Sequence, residues 1–335
     1  MGLLELRLSM LATLAIIIGL STLVLTAVLI LLGVFDIITL GIIVVAINVV
    51  QWLIAPYLVG AIYKVRKLSE TENPQLHQIV NDLSKKCGIN KPQLMLAQIP
   101  IPNAFAYGSP LTGSRVAVTP GLLSTLNMGE VEAVIGHELG HLRHKDVQIM
   151  MAVSFLPALF MYVGYTMMFS SIFSSGSGSR RGRGGGGGYN AIIGIAFIAF
   201  SYVLTLFTLY LSRLREYYAD RNSVSVVENG ATKLSTGLAK IVNATRKPSS
   251  SQSGFQRRGQ QQQNINAFKA LFITDPEKAG SDQAAIRNMD ASGMVQEILS
   301  KKVTFSDRLK EALSTHPNII KRLRVLQQLS QNPRA

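Results

Sequence analysis

The sequence predicts an integral membrane, α-helical protein with four spans that carries a cytoplasmic α+β domain. Three observations predict this class. The chain of 335 residues is 48% apolar and only 16% charged, which is a low charge content for a soluble protein. Its apolar residues fall in long blocks that contain no charged side chain. The segments between and after these blocks have ordinary charge and are long enough to fold.

Four segments are predicted to span the membrane, at about 11–33, 38–60, 150–172 and 191–212. Because a helix rises about 1.5 Å per residue, about 20 apolar residues cross the hydrocarbon core. The first segment begins too far along the chain, and is too long, for a cleaved signal peptide, so we expect a retained anchor. Residues 1–63 then form one transmembrane hairpin. Residues 150–212 form a second hairpin, with a flexible Gly-rich connection at 174–190.

Basic residues at the ends of the first hairpin predict the orientation of the chain. Arg7 precedes the first span, and three basic residues follow the second, namely Lys64, Arg66 and Lys67. Such residues favour the cytoplasmic side, so residues 64–149 and 213–335 are predicted to be cytoplasmic parts of a multi-pass protein of the cell membrane. The connection of the second hairpin is also basic, with Arg180, Arg181 and Arg183. Either the first hairpin overrides the rule, or the second does not cross completely.

The segment 64–149 is predicted to be compact α+β. Asn73 before Pro74, with Gly88 as the stop, predicts one helix. Apolar runs predict strands in PQLMLAQIP, at Asn103–Tyr107 and in RVAVTP. Asn127 and Glu130 have the spacing of a capping box, which would begin a further helix.

The part after Ser212 is predicted to be largely helical. A Gln- and Ser-rich segment near 246–264 has the composition of a disordered loop. The segments INAFKALF and VTFSDRLKEALSTHPNIIKRLRVLQQL predict helices, the latter broken near Pro317.

The formal net charge of +14 does not indicate a nucleic-acid partner. Basic residues that flank membrane spans meet anionic head groups, and the sequence lacks the alternation of aromatic and basic residues typical of nucleic-acid-binding modules. The single Cys87 excludes an internal disulfide framework and fits a reducing cytosolic face. The lipid bilayer is therefore the expected partner, and the oligomeric state is left open.

The predicted helix after Asn127 contains HELGH at residues 137–141, which is the zinc-protease pattern H-E-x-x-H. His137 and His141 lie four positions apart and therefore share one face of a helix, where two neutral imidazoles bind one Zn²⁺. Glu138 is then placed to act on water rather than on the metal. Gly140 leaves one side of the helix bare, either for a substrate or for a neighbouring helix.

A catalytic zinc needs a third protein ligand. The three-histidine pattern HExxHxxGxxH is excluded, because His144 and Val147 stand at its Gly and His positions. Glu216 and Asp220, again four positions apart, follow the fourth span directly. Glu216 is the candidate third ligand, and Asp220 would orient a zinc-bound imidazole. The alternative is that both are surface charges paired with arginines, namely Arg215 or Arg221.

These motifs together resemble the HtpX-type membrane metalloproteases, which are relatives of the CAAX prenyl endopeptidases. The matching motifs are PNAFA at 102–106, HELGH at 137–141, HLRHKD ending at Asp146, EYYAD at 216–220 and STHP at 314–317. The order of the spans matches too, so the resemblance covers nearly the whole chain. The resemblance implies a zincin-like metalloprotease domain that binds one zinc ion through His137, His141 and Glu216. It also implies that Glu138 is the catalytic base.

The same resemblance implies roles for two further segments. Asn103, Ala104, Phe105 and Ala106 would form an exposed edge strand to which an extended substrate adds by backbone hydrogen bonds. His316 would lie near the site and steady the oxyanion. The alternative for His316 is a structural corner at His-Pro.

The predicted function is therefore a membrane-bound zinc endopeptidase in protein quality control, which acts on membrane or misfolded proteins. Because His141 and Glu216 lie within a few residues of predicted spans, we expect the site at or just above the cytoplasmic membrane surface. A CAAX-type prenyl-protein protease is a second interpretation. A non-enzymatic membrane scaffold or transporter is a third, although the spans lack the charges expected of a transporter.

Overall fold

The computed structural model describes residues 37–99, 101–174, 186–246 and 290–332. The first predicted span, most of the Gly-rich connection, almost all of the predicted disordered loop at 246–264 and the predicted helix INAFKALF lie outside these residues. Within them the elements are, in chain order, α1 Ile37–Ile62, β1 Arg66–Lys67, α2 Pro74–Cys87, β2 Gln93–Leu96, β3 Ala104–Ser109, β4 Gly113–Val118, α3 Pro120–Thr125, α4 Met128–Arg143, α5 Asp146–Ser174, α6 Gly186–Val226, α7 Gly230–Arg246, α8 Ala291–Ser300, α9 Phe305–Ala312 and α10 Ile319–Gln331.

The described residues form two compact units. The first combines residues 52–147 with the described residues from 212 onward, namely 212–246 and 290–332. The second contains, of the described residues, 37–51, 148–174 and 186–211. All the sequence-predicted site residues belong to the first unit.

A four-stranded mixed sheet lies in the first unit, with the strand order β1-β2-β4-β3. β2 and β4 are parallel, whereas β1 pairs antiparallel with β2 and β3 pairs antiparallel with β4. The face with Ala104 and Ala106 joins the main core, which includes residues of α2, α4 and α7. The opposite face, with Phe105 and Tyr107, packs with Val59 near the end of α1. The strand order places β3 at one edge of this sheet.

The predicted helix signals of the first unit are confirmed. The Asn73 side chain accepts a hydrogen bond from Leu76 N, and Gly88 ends α2 in the left-handed conformation with φ 67°. At the start of α4, the Asn127 side chain accepts from Glu130 N at 2.9 Å. The Glu130 carboxylate in turn accepts from Asn127 N at 2.9 Å. The capping box thus fixes the first turn of the helix that carries HELGH.

Two described helices, α5 and α6, are long and apolar enough to cross a membrane, as predicted for the third and fourth spans. The predicted second span lies within the helix α1. α6 begins at Gly186, inside the segment 174–190 predicted to be a flexible connection, so residues 186–190 are helical instead. In the second unit α5 and α6 approach closely at two glycines: a Cβ on Gly164 would meet Gly194 O at 2.8 Å.

Candidate active site

HELGH lies in the interior of α4, and its polar side chains are buried rather than solvated. His137 and Glu138 are buried, and His141 is half-buried. The two imidazole rings are neighbours on one face of the helix, with their centroids 4.8 Å apart. Buried imidazoles and carboxylates of this kind need partners, and α6 supplies most of them.

α6 packs against α4 through small residues. A Cβ on Gly140 would meet Ala219 Cα and Asn222 Cβ at 3.0 Å each. The Asn222 amide donates to Gly136 O at 2.8 Å, and Ser223 Oγ donates to Ala133 O at 2.6 Å. The bare side of Gly140 is therefore filled by a neighbouring helix, and the alternative of substrate contact is wrong.

This packing brings Glu216 to the two histidines. His137 Nε2 lies 3.6 Å from Glu216 Oε2, and His141 Nε2 lies 3.5 Å from Glu216 Oε1. The two Nε2 atoms are 3.3 Å apart. One donor atom from each of these three side chains lies within 4.8 Å of the others, so the three residues could hold a metal ion. The alternative of surface charges is wrong, because Glu216 and Asp220 are buried and Arg215 pairs with Asp146 instead.

The donor set fits Zn²⁺. Four ligand atoms in a tetrahedron about 2.0–2.2 Å from one zinc ion lie about 3.3–3.6 Å apart. The closest contacts among His137, His141 and Glu216 fall in this interval. Two imidazole nitrogens and one carboxylate are also the ligands of several catalytic zinc sites, which leave a fourth position open.

Each candidate ligand histidine has a carboxylate at its outer nitrogen. His137 Nδ1 lies 2.9 Å from Oδ1 of Asp220, the residue predicted to orient a zinc-bound imidazole. His141 Nδ1 donates to Asp146 Oδ2 at 2.7 Å. Protonation at Nδ1 leaves the Nε2 lone pair of each ring directed toward the shared centre. The same contact helps to raise the pKa of His141 well above its ordinary value, because burial of the ring lowers it but the Asp146 and Glu216 carboxylates outweigh burial.

Asp146 is the last residue of the motif HLRHKD, and the sequence alone predicts no role for it. It reaches His141 because the chain reverses after α4 at Lys145, which has φ 54°. Its second oxygen accepts from Arg215, which also donates to His144 O at 2.9 Å. His144 itself donates from Nδ1 to Gly140 O at 2.9 Å, so it closes the end of α4 and does not reach the metal centre.

Arg322 was missed by the sequence analysis. From α10, its Nε and Nη2 atoms donate to Asp220 at 2.9 Å and 2.6 Å, and its Nη1 lies 3.2 Å from Glu216 Oε2. The side chain is 1% exposed. Burial lowers the pKa of its guanidinium, but Asp220 and Glu216 more than offset this, so the pKa is raised and the group stays charged. One signal was available, since position 322 falls on the apolar face of α10 between Ile319 and Leu326.

Glu138 lies against β3. Its Oε2 accepts a hydrogen bond from Ala106 N at 2.8 Å. Burial raises the pKa of Glu138, while His141 and His137 lower it. Since backbone groups alternate along an antiparallel pair, the amides of Ala104 and Gly108 are directed away from β4 like that of Ala106.

The predicted strand Asn103–Ala106 occupies the edge of the sheet, but it is not exposed. All four residues are buried: Ala104 and Ala106 face the core that includes α4, whereas Phe105 packs in the cluster on the opposite face of the sheet. The Asn103 amide is used within the sheet, where it donates to Thr119 Oγ1 at 2.9 Å. Substrate binding at these residues stays a prediction.

His316 lies beside the metal-binding residues. It is buried in the segment between α9 and α10, and its Nε2 is 3.6 Å from Glu216 Oε1. Its Nδ1 is 3.0 Å from Thr315 Oγ1. Burial lowers the pKa of His316, although Glu216 partly offsets this effect. The predicted break of the helix near Pro317 is confirmed. The segment at this break brings the His316 imidazole to the site.

Comparisons with known proteins agree with this chemistry. Residues 70–330 match the model of peptidase family M48. The chain is 37% identical over 284 residues to the protease HtpX homolog of Thermoplasma acidophilum, covering 84% of this chain and 82% of that protein. It is 42% identical over 196 residues to the protease HtpX homolog of Picrophilus torridus, covering 58% and 61%.

One solved structure adds a likeness of fold. The crystal structure of S. mikatae Ste24p is similar to this chain with a TM-score of 0.52 and 14% sequence identity. The match covers 96% of this chain and 67% of that one. At this level of identity the likeness concerns the fold alone.

Proposed function

Because the chain belongs to peptidase family M48, we propose that it is a Zn²⁺-dependent endopeptidase that hydrolyses membrane or misfolded proteins at the cytoplasmic face of the cell membrane. The chain is a metallopeptidase, and the interpretation as a non-enzymatic scaffold is wrong. We propose four further properties: that the metal is zinc, the substrate class, the four membrane spans and the orientation of the chain in the membrane.

The observation that carries the proposal is the convergence of His137, His141 and Glu216, with Glu138 next to them. A Zn²⁺ ion bound by these three residues would polarise a peptide carbonyl and acidify water. The outer carboxylates, Asp220 and Asp146, hold the two imidazoles in the tautomer that presents Nε2. The two imidazole ligands are therefore oriented before any substrate binds.

Glu138 acts as the general base. Its carboxylate takes a proton from the attacking water and delivers it to the leaving amine. Burial raises the pKa of Glu138, which makes its carboxylate a stronger base and favours the first transfer, the uptake of the proton from water. The hydrogen bond from Ala106 N fixes the carboxylate beside the edge strand, where a substrate backbone would align.

His316 is proposed to stabilise the developing oxyanion. It lies within 3.6 Å of Glu216 and is buried, so its ring is held by the protein rather than by water. A pre-positioned N–H near the reacting carbonyl stabilises charge that forms only in the transition state.

The membrane location is supported by the continuity of α6. This helix runs from Gly186 to Val226 and contains both the fourth predicted span and Glu216. Its residues up to 212 carry no charge, and Arg213 is the first charged residue that follows. A ligand one helical turn beyond such a segment favours substrates that are presented at the membrane surface. The CAAX-type interpretation stays an alternative to this proposal.

The proposed substrate class is tested with full-length protein in proteoliposomes. A membrane protein with one accessible loop on the side of the site, and a second loop on the opposite side, is the substrate. Cleavage confined to the first loop, and absent with the Glu138→Gln variant, is expected. Cleavage of the opposite loop would contradict the proposed location, and cleavage by the variant would contradict the proposed base.

A further inference from the structure

α9 presents an apolar stripe to the surroundings of the first unit. Phe305, Leu309 and Leu313 are 81%, 57% and 65% exposed. Because they lie at intervals of four residues, their side chains lie along one face of the helix and its C-terminal turn. Large apolar side chains that form a continuous exposed stripe mark a surface that contacts a partner.

The stripe is held rigidly in this position. Thr304 and Asp307 form a capping box at the start of α9. On the other side of the helix, Glu311 is buried, accepts from Asn318 N at 3.1 Å and pairs with Lys321. Glu311 therefore attaches this side of α9 to the protein, and the apolar stripe is left outward.

Arg213 follows the charge-free part of α6 and forms hydrogen bonds with the C-terminal end of α9. Its Nη1 donates to Glu311 O at 2.8 Å, to Ala312 O at 3.1 Å and to Ser314 O at 2.8 Å. Arg213 is the first charged residue after residues 184–212. Basic residues at the end of a membrane span lie at the level of the lipid head groups. A helix whose last carbonyls bind Arg213 lies at that level too.

The charges around the stripe are predominantly basic. Lys302, Arg308 and Lys310 are exposed on or just before α9. A helix with apolar residues on one face and cations beside them is typical of helices that lie in the plane of an anionic membrane surface. A second copy of this chain would bring the same cations together, which disfavours it as the occupant.

We propose that α9 is an interfacial helix whose stripe of Phe305, Leu309 and Leu313 inserts into an anionic lipid surface. The proposal rests on the membrane location given above. His316 follows Leu313 by three residues, so lipid contact at α9 would also hold the segment that places His316 next to Glu216. The bilayer would thereby support the geometry of the site as well as its location.

The test measures lipid contact at single positions in the full-length protein. Leu309→Cys is labelled with bimane in a Cys87→Ala background and reconstituted into phosphatidylcholine–phosphatidylglycerol vesicles that contain doxyl-labelled lipid. Ile195→Cys, in the charge-free part of α6 and 56% exposed, is the positive control. Gln327→Cys, exposed on α10, is the matched negative control.

We expect doxyl lipid to quench the label at positions 195 and 309 but not at 327. Quenching at 195 without quenching at 309 would overturn the interfacial helix and leave the membrane location intact. Absence of quenching at 195 as well would overturn both. Peptidase activity of the same labelled samples, measured in detergent, separates either result from failure of the proposed catalytic function.

Two further measurements distinguish the occupants. Replacement of Lys302, Arg308 and Lys310 with glutamine is expected to weaken quenching at 309 and to leave it unchanged at 195. If the label at 309 is quenched as strongly in this variant as in the protein that keeps the three cations, the requirement for an anionic surface is overturned. Quenching at 309 that appears only with a spin-labelled second copy would assign the stripe to contact between copies and would overturn the lipid proposal.

Discussion

Arg322 donates two hydrogen bonds to Asp220 across 102 positions of sequence, and its third nitrogen contacts Glu216. This guanidinium therefore neutralises the carboxylate that orients His137 and, at the same time, the carboxylate proposed to bind the metal. The metal site thus depends on a residue from the last described helix, far from either ligand motif.

Replacement of Arg322 with methionine is predicted to lower the free energy of unfolding by about 3–5 kcal/mol, because it leaves two buried carboxylates without their cation. Zinc affinity should fall as well, since Asp220 and Glu216 lose their fixed positions. Thermal unfolding and zinc titration measure the two effects. Arg324→Met, on the exposed side of the same helix, is the matched control and should change neither. Wild-type stability and zinc affinity of Arg322→Met would contradict this role.

Replacement of Asp146 with asparagine is predicted to weaken zinc binding by about 10–100-fold, because the charge that supports His141 Nδ1 is lost. A competition titration with a chromophoric chelator measures the affinity. Asp82→Asn, an exposed carboxylate on α2, is expected to bind zinc like the wild type. An unchanged affinity of Asp146→Asn would show that the His141–Asp146 contact does not support the ligand.

Gly140→Ala is predicted to destabilise the protein by about 1–2 kcal/mol, because overpacking against α6 outweighs the higher helix propensity of alanine. The new Cβ would meet the Cα of Ala219 at 3.0 Å, and a backbone atom cannot move aside cheaply. Gly129→Ala, on the same helix, would meet two side chains and no backbone atom, namely the flexible Lys233 at 3.3 Å and Asn127 at an ordinary contact distance of 3.5 Å, and should be neutral or stabilising. Equal midpoints of thermal unfolding for the two variants would contradict the close packing.

Removal of zinc by a chelator is predicted to abolish peptide hydrolysis and to lower the midpoint of thermal unfolding. Zinc at about 100 times its dissociation constant stabilises the folded state by about 2.7 kcal/mol, and this contribution is lost in the apo protein. Added Zn²⁺ should restore both properties. A Glu216→Gln variant should show a smaller zinc-dependent shift in the midpoint, and an unchanged shift would remove Glu216 from the ligand set.

Local features of this chain could be predicted from its sequence. The Asn127–Glu130 capping box, the helical spacing of His137 and His141, and the position of Glu216 after an apolar helix each depend on residues that are close in sequence. The helix and strand signals of residues 73–118 are local in the same sense, and the elements form where these signals occur.

The remaining features depend on long-range packing or on a single turn. Asp146 reaches His141 only because Lys145 adopts a left-handed conformation, which a non-glycine residue rarely does. Arg322 reaches Asp220 only once α10 has packed in the core. The burial of Asn103–Ala106 follows from packing on both faces of β3, and edge position alone could not reveal it.

The central claim is that His137, His141 and Glu216 bind one zinc ion and that Glu138 acts beside it as the base. The most direct measurement is the zinc content and peptide hydrolysis of purified Glu138→Gln, compared with Glu132→Gln on the same helix. We predict that Glu138→Gln retains one zinc ion per chain and has no activity, whereas Glu132→Gln retains both. Hydrolysis at the wild-type rate by Glu138→Gln would contradict the account.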